Sequence, residues 1–565
     1  MAKEPSARVR VLKAVGASNS DGSPRYDVSP VEIVAAFSIG LPGGAVLDQD
    51  RITEVAARAA GMPYRKIDPL KLDMALATRT VSKPYAQRHV LLPLEEAAGK
   101  LVVSVANPFD PELFENLARL AGMPVAPVLS AKGDILKAIA DIYGFRKTVA
   151  QAVDDYGAGN QIQNFEQLVR LSGSQELDAS DKPVVQAVDY LLRYAFEHRA
   201  SDIHLELRRQ SSVVRLRIDG VLHTVYTLPS TVHAPMVSRV KMLARMDISE
   251  KRKPQDGRIK TEKDGREVEL RVSTLPTAFG EKVVIRIFDP ETLAQDLTEL
   301  GFDLEEKVQF ESWIAEPHGL ILVTGPTGSG KTTTLYSALK ALARDDVNVT
   351  SIEDPIEMVW ETFNQVQVQP KVGLDFAGAL RHILRQDPDI IMVGEIRDGE
   401  TAQNAIQAAL TGHLVLSTLH TNDAVGAVSR IKDLGVQPFL LGSTLVGTMA
   451  QRLVRRVCSA CAQETALSLE QLSALRVPLP LTERGIRLLK GAGCVRCRGT
   501  GYYGRTAIFE MLGAGAEIRE LISNNAPADQ IAQTSLLHGR RSLREAAVRK
   551  LAEGLTTFEE VLRVT

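Results

Sequence analysis

The sequence predicts an α/β protein built on a parallel sheet covered by helices. A smaller strand-rich α+β domain and an N-terminal α+β domain precede the sheet, and a metal-binding, helical C-terminal region follows it. Three observations carry this reading. Short apolar runs, LILVT, VNVTSI, IIMVG and LVLSTL, alternate with helical patterns between residues 300 and 447, as expected of strands buried on both faces. The first run leads into a full phosphate-binding loop, Gly325-x-x-x-x-Gly330-Lys331-Thr332, with a helical pattern behind it. The four cysteines form two CxxC pairs, Cys458 with Cys461 and Cys494 with Cys497.

Bulk composition sets the limits. A chain of 565 residues has room for roughly three to five domains of about 100 to 200 residues each, so it builds cores without disulfide help. Lys and Arg total 67 against 69 acidic residues, a net charge of -2, which supplies no general pull toward nucleic acid or anionic lipid. A helicase is disfavoured and no nucleic-acid partner is expected. No apolar run approaches the about 20 residues that span a bilayer, and the N-terminus lacks a signal-like apolar core, so a cytoplasmic protein is expected.

Along the chain, residues 1–27 carry Ser, Gly, Asn and Pro without periodicity and are expected to be a mobile tail. Residues 28–146 mix helical patterns (Ile52 to Ala60, Pro111 to Leu120, Ile135 to Tyr143) with short strand-like runs, the pattern of a compact α+β domain expected to dock a partner. Residues 147–180 are polar and read as a linker, with one helical pattern near Phe165 to Leu171. In residues 181–298 hairpins are expected at Asp219-Gly220 and Asp264-Gly265. Period-two alternation there puts Arg215, Arg217, Arg271 and Arg286 on polar strand faces. Residues 299–450 form the nucleotide core, 451–505 the cysteine subdomain and 506–565 a helical region. Ser542-x-x-Glu545 and Thr557-x-x-Glu560 both read as capping boxes in that last region.

The loop chemistry follows from residue type. Glycines at 325, 328 and 330 let backbone N–H groups turn onto a polyphosphate, and the next helix aims its positive end at the same anion. Pro326, Thr327, Ser329 and Thr333 complete the candidate nucleotide contacts. Lys331 is placed to neutralise the outer phosphates and Thr332 to ligate Mg²⁺. Strand ends next to such a loop are candidates for catalysis. SIEDPIE carries Glu353, Asp354 and Glu357, which suggests metal or water handling, although a capped turn before Pro355 also fits. DPDIIMVGEIRD has Gly394 where most phosphate-loop enzymes hold magnesium with Asp, leaving Glu395 to polarise the attacking water. His413 and His420 bracket the strand LVLSTL and are candidates for phosphate sensing or coupling.

The cysteines, with 32 residues between the pairs, provide four thiolates for one tetrahedral structural Zn²⁺. Arg452, Arg455, Arg456, Arg496, Arg498 and Arg505 surround them, as a docking surface or as solvated charge.

With ASDIHLE, RIDG, QDGR, GEKVVIRI, GPTGSGKTTT, SIEDPIE, DPDIIMVGEIRD, TGHLVLSTLHTND and the paired CxxC in one order, the chain resembles an assembly ATPase of the type II secretion and type IV pilus class. The resemblance is close from Asp181 to Thr565 and loose over the N-terminal domain. It implies a RecA-like core that hydrolyses ATP in a cytoplasmic homo-hexamer and moves an inner-membrane platform protein, with membrane contact through protein partners. It also implies that Arg217, Arg258, Arg271 and Arg286 reach the nucleotide, and that Gly394 is ordinary for the family. Two rivals stand beside it. One is a nucleotide-switched binding module, with cyclic di-GMP on the N-terminal domain, although the Arg-Leu-Gly motif that some relatives use for that ligand is missing. The other is a retraction or DNA-transfer ATPase, although retraction-type relatives lack the paired CxxC and the long N-terminal domain.

Overall fold

The computed structural model describes residues 49–67, 74–139, 182–263, 266–288, 295–480, 485–494 and 496–565, with a short helix at Pro30–Ala35 and a few isolated neighbours. The tail expected at 1–27, the linker at 147–180 with its helical pattern, and the Asp264-Gly265 turn lie outside the described residues. In the N-terminal domain, β1 (Leu91–Ala97), β2 (Lys100–Val105) and β3 (Val125–Leu129) form one small sheet in that order. The parallel β2–β3 crossover is the helix Pro111–Ala121. Its start is fixed chemically: the Asp110 side chain accepts the Leu113 N–H, and Pro111 sits where no donor is needed. Leu113 and Leu117 on its inner face are buried with Leu101 and Val103 of β2 in one apolar cluster.

The strand-rich domain is an antiparallel sheet of six strands, ordered β6-β5-β4-β9-β8-β7. They are β4 (Ala200–Leu207), β5 (Ser211–Ile218), β6 (Val221–Pro229), β7 (Gln255–Lys263), β8 (Arg266–Thr277) and β9 (Gly280–Phe288). The turn between β5 and β6 forms as expected, with Asp219 and Gly220 at φ of 49° and 85°, the two-residue geometry that suits the twist of a hairpin. Helices Lys182–Glu197 and Ser230–Leu243 pack Val188, Leu191, Val237 and Val240 into the core formed with Ile203, Leu205, Val214, Leu216, Val283 and Ile285. The opposite face is left to the charged residues.

The nucleotide core is a sheet of seven strands, ordered β12-β11-β13-β14-β10-β15-β18. Its central parallel strands are β10 (Gly319–Thr324), β11 (Val349–Glu353), β12 (Asn364–Gln367), β13 (Ile390–Val393) and β14 (Leu414–Leu419). Alternate residues enter opposite cores: Leu320 and Leu322 join the cluster under helix Gly399–Leu410, while Ile321 and Val323 join the one under helices Leu304–Ile314 and Lys331–Leu342. Both faces being covered explains why these strands read as continuous apolar runs.

The domain limits expected at 450 and 505 fall inside strands. β15 (Leu445–Val457) pairs in parallel with β10, and β18 (Tyr502–Gly513) pairs antiparallel with β15 from Gly447↔Gly513 to Val457↔Tyr502. The cysteine region, with its two short strands β16 (Ala462–Glu464) and β17 (Leu489–Gly491), is therefore an insertion between two strands of the nucleotide sheet. Four helices end the chain, the last two at Leu543–Ala552 and Phe558–Val564. Ser542 and Glu545 form the reciprocal capping box. At Thr557 only half forms, because the Glu560 carboxylate is fully buried against Arg455 and Arg563 instead. Burial alone would raise its pKa, but the two guanidiniums prevail and hold it at about 2.

Candidate active site and cysteine cluster

The loop leaves β10 at Thr324 and enters the helix Lys331–Leu342. Its glycines are at φ of 150°, 78° and 89° for Gly325, Gly328 and Gly330, conformations that a side chain would strain. Lys331 is buried, and its ammonium donates to the Gly325 carbonyl at 2.7 Å and the Pro326 carbonyl at 3.3 Å. Burial pulls its pKa down to about 8, opposed by the nearby Glu395 charge. A buried cation held by carbonyls is suited to a polyanion. Ser329 is buried as well and its hydroxyl has no partner among the described residues. Thr332 and Thr333 are partly open on the first turn.

Strand order sorts the acids. β14 neighbours β10, and β13 lies next beyond it, so Glu395 leaves the sheet two strands, or about 10 Å, from the loop's strand. Its carboxylate is 2.6 Å from Arg397 and 3.7 Å from His420 Nε2, with the side chain 14% exposed. His420 is open, and burial followed by the Lys331 charge lowers its pKa. Gly394 has a geometric reason: a Cβ there would meet the Ile352 carbonyl of β11 at 3.0 Å. Glu357 is half-buried; burial raises its pKa while Arg271 opposes the rise. Asp354 is exposed.

Two sequence expectations fail here. Glu353 does not face the phosphates, because its buried carboxylate is taken up by Tyr336, Ser351 and Gln365 at 2.7, 2.6 and 3.1 Å. It belongs to the strand's inner face, a distinction invisible in a run of acids. His413 starts β14, whereas His420 follows its end. Bracketing a strand puts the two residues at opposite edges of the sheet, about 20 Å apart. There His413 Nδ1 donates to the Ala408 carbonyl at 2.9 Å, at the end of the sheet away from the nucleotide loop.

The arginines of the strand domain form one row. Register pairs Arg258 with Arg271, Arg271 with Arg286, Arg286 with Asp202 and Asp202 with Arg217, across β7, β8, β9, β4 and β5. Arg286 Nε lies 3.0 Å and Arg217 Nε 3.6 Å from the buried Asp202 carboxylate. At the other end Arg271 donates to the Ile356 carbonyl and Arg258 Nη2 to Gln367 Oε1 at 3.4 Å, both on the nucleotide core. Arg271 therefore reaches the acidic loop after β11, and Arg258 the end of β12, within one chain. Arg217 does not; it donates to the Gly220 carbonyl of its own hairpin turn.

Cys458 is 3.7 Å from Cys494, and Cys497 is 3.7 Å from both Cys461 and Cys494, measured between sulfurs, all four within 4.8 Å of one another. Tetrahedral zinc with Zn–S near 2.3 Å sets its sulfurs about 3.8 Å apart, so the cluster fits that ion. The N–H groups of Cys494 and Gly501 point at Cys497 Sγ at 3.0 and 3.3 Å, as suits a thiolate. Among the flanking arginines, Arg498 is not merely solvated. Arg498 donates to His198 Nδ1 at 3.0 Å and its carbonyl at 2.5 Å, and the Gly504 N–H donates to Asp219 at 3.1 Å, tying the module to the strand domain.

A phosphate loop between a parallel strand and its helix, with a carboxylate and a histidine at neighbouring strand ends, defines a P-loop nucleotide-hydrolysing enzyme. The family model described as "Type II/IV secretion system protein" matches residues 177–563, and that of the "MshEN domain" matches residues 60–149. The type IV pilus assembly ATPase TfpB of Acinetobacter baylyi is 45% identical over 91% of this chain and 88% of its own length. The corresponding ATPase PilB of Myxococcus xanthus is 40% identical over 91% of each chain. The type II secretion system protein E of Xanthomonas campestris is 41% identical over 92% of this chain and 91% of its own. The chain belongs to the type II/IV secretion system protein family and is an ATPase.

Sequence reading missed Gln451, Tyr336, Gln365 and Asp202. Only Gln451 gave a signal, as a lone amide within the apolar run LVGTMAQRLV.

Proposed function

We propose that this ATPase is a hexameric motor that powers assembly of a type IV pilus or a type II secretion pseudopilus at the inner membrane, coupled through a membrane platform protein. The observation that supports the reading best is the contact of Arg271 with the acidic loop beside the nucleotide site, with Arg258 next to it on Gln367 of β12, because it links hydrolysis to the position of another domain. The relatives named above, matched over most of their length, supply the machine. Among the described residues no helix is long and apolar enough to cross a membrane, so attachment through a protein partner fits. The domain at residues 60–149 is the part not required for ATP chemistry.

In this reading Gly325 to Thr333 hold the triphosphate, Lys331 neutralises the outer phosphates and Thr332 holds Mg²⁺, which supplies charge neutralisation at those oxygens. Glu395 accepts the proton of the attacking water, and His420 beside it responds to the outer phosphate. Glu357 and Asp354 complete the acidic side, and Arg258, Arg271 and Arg286 close over it. The four cysteines hold a structural zinc ion. Glu395→Gln is expected to keep ATP affinity within about threefold while lowering turnover roughly 100-fold or more, whereas Lys331→Ala weakens both. Nucleotide affinity and phosphate release measured on each variant decide this. Near-normal turnover by Glu395→Gln removes Glu395 from the catalytic role.

A further inference from the structure

We propose that Gln451 is a positioning residue that sets the shape of the phosphate loop from the neighbouring strand. The inference rests on the reading that residues 325–332 hold the nucleotide's phosphates. Gln451 is 1% exposed, in the middle of β15, the strand beside β10. Its amide is used at both ends. Nε2 donates to the Ser329 carbonyl at 2.9 Å, and Oε1 accepts the Thr334 hydroxyl at 2.8 Å. The backbone takes part too: a Cβ on Gly325 would come within 2.5 Å of the Gln451 carbonyl, and one on Gly330 within 2.9 Å of Nε2. One residue thus braces the loop at its start, its last peptide and the first turn of the helix.

The consequence follows from peptide geometry. In a planar trans peptide the C=O and the following N–H point in opposite directions. Holding the Ser329 carbonyl toward β15 therefore turns the Gly330 N–H away from β15, to the interior of the loop, where an anion is received. Thr334 has a second acceptor in the Gly330 carbonyl at 3.3 Å, so the Ser329 carbonyl is the group that depends on Gln451. Without its donor, that buried carbonyl gains by turning toward other partners, and the Gly330 N–H turns with it. Gln451 touches no reacting atom. Its effect belongs in phosphate affinity and not in the chemical step.

The test uses the full chain with Gln451→Met, which keeps the volume and removes both polar ends, and Thr334→Val, which removes the link that fixes the amide together with the longer contact to the Gly330 carbonyl. For Gln451→Met, KM for MgATP and Kd for MgADP should rise roughly tenfold or more, with kcat at saturation within about threefold. The unliganded Tm should change little while the rise in Tm produced by MgADP shrinks. Thr334→Val should move Kd in the same direction by a smaller factor, and it decides the matter if Gln451→Met does not fold. Lys331→Ala, run alongside, separates the two readings. Wild-type MgADP affinity in both test variants while Lys331→Ala loses affinity overturns the role of Gln451 and leaves the loop intact. Wild-type affinity in Lys331→Ala overturns the loop reading and this inference with it. A kcat loss at unchanged KM also overturns the proposal.

Discussion

At the scale of single residues, Lys331 makes a prediction with a definite sign. Burial lowers its pKa from the ordinary 10.5 to about 8, so between those values the folded, unliganded protein binds fewer protons than the unfolded chain. Stability without nucleotide should therefore rise with pH across that window. A bound polyphosphate restores the charge, so binding should take up a proton above about pH 8 and lose up to about tenfold in affinity per pH unit. Calorimetry of MgADP binding at pH 8.5, in two buffers of different ionisation enthalpy, measures that uptake. No uptake in the wild type, or the same uptake in Lys331→Ala, would rule the lysine out as the source. The amino-acid string made Lys331 legible because the loop motif is local. It could not separate Glu353 from Glu357, since one acid points into the core and the other toward the site only once β11 has packed on helix Lys331–Leu342.

At the scale of elements, the cysteine module is a loop between β15 and β18, so a metal held by the four cysteines should stabilise the sheet edge as well as the module. Purified protein should contain about one zinc per chain, and Cys461→Ser should lower metal content and increase hydrogen exchange in β15, β18 and the module. Elemental analysis with exchange mass spectrometry checks this; iron in place of zinc would refute the assignment. CxxC spacing made the ligands readable. It gave no hint that Arg498 reaches His198, because that contact joins residues 300 apart in the chain. The fully buried Glu560 repeats the lesson: its capping position is local, yet its carboxylate goes to Arg455, 105 residues away.

At the scale of the whole molecule, the strand domain meets the nucleotide core at two places. Arg271 lies at the acidic loop with Arg258 beside it on β12, and Arg498 and Gly504 lie at the end of helix Lys182–Glu197 and at the hairpin turn. If the first contact carries catalysis, Arg271→Ala should lower turnover by roughly 100-fold or more while MgADP affinity stays within about threefold. The assay is steady-state hydrolysis in a preparation whose oligomeric state is measured by light scattering. Wild-type turnover in such a preparation would reduce Arg271 to a structural contact with the Ile356 carbonyl.

What the sequence determined by itself was everything set by spacing along the chain. The alternation of apolar runs and helices gave the covered sheet, and the glycines with Lys331 and Thr332 gave the phosphate loop. The Asp219-Gly220 turn and the paired CxxC were local in the same sense, each needing only a few neighbouring residues in a fixed conformation. Tertiary structure decided what depends on strand order and on which face a residue takes. Strand direction removed His413 from the site, and the close approach of β11 explained Gly394. The extension of the sheet through β15 and β18 brought Gln451 against the loop. Cross-strand register gathered the arginines, scattered from 217 to 286, into one row, because pairing is fixed by the sheet and not by distance along the chain.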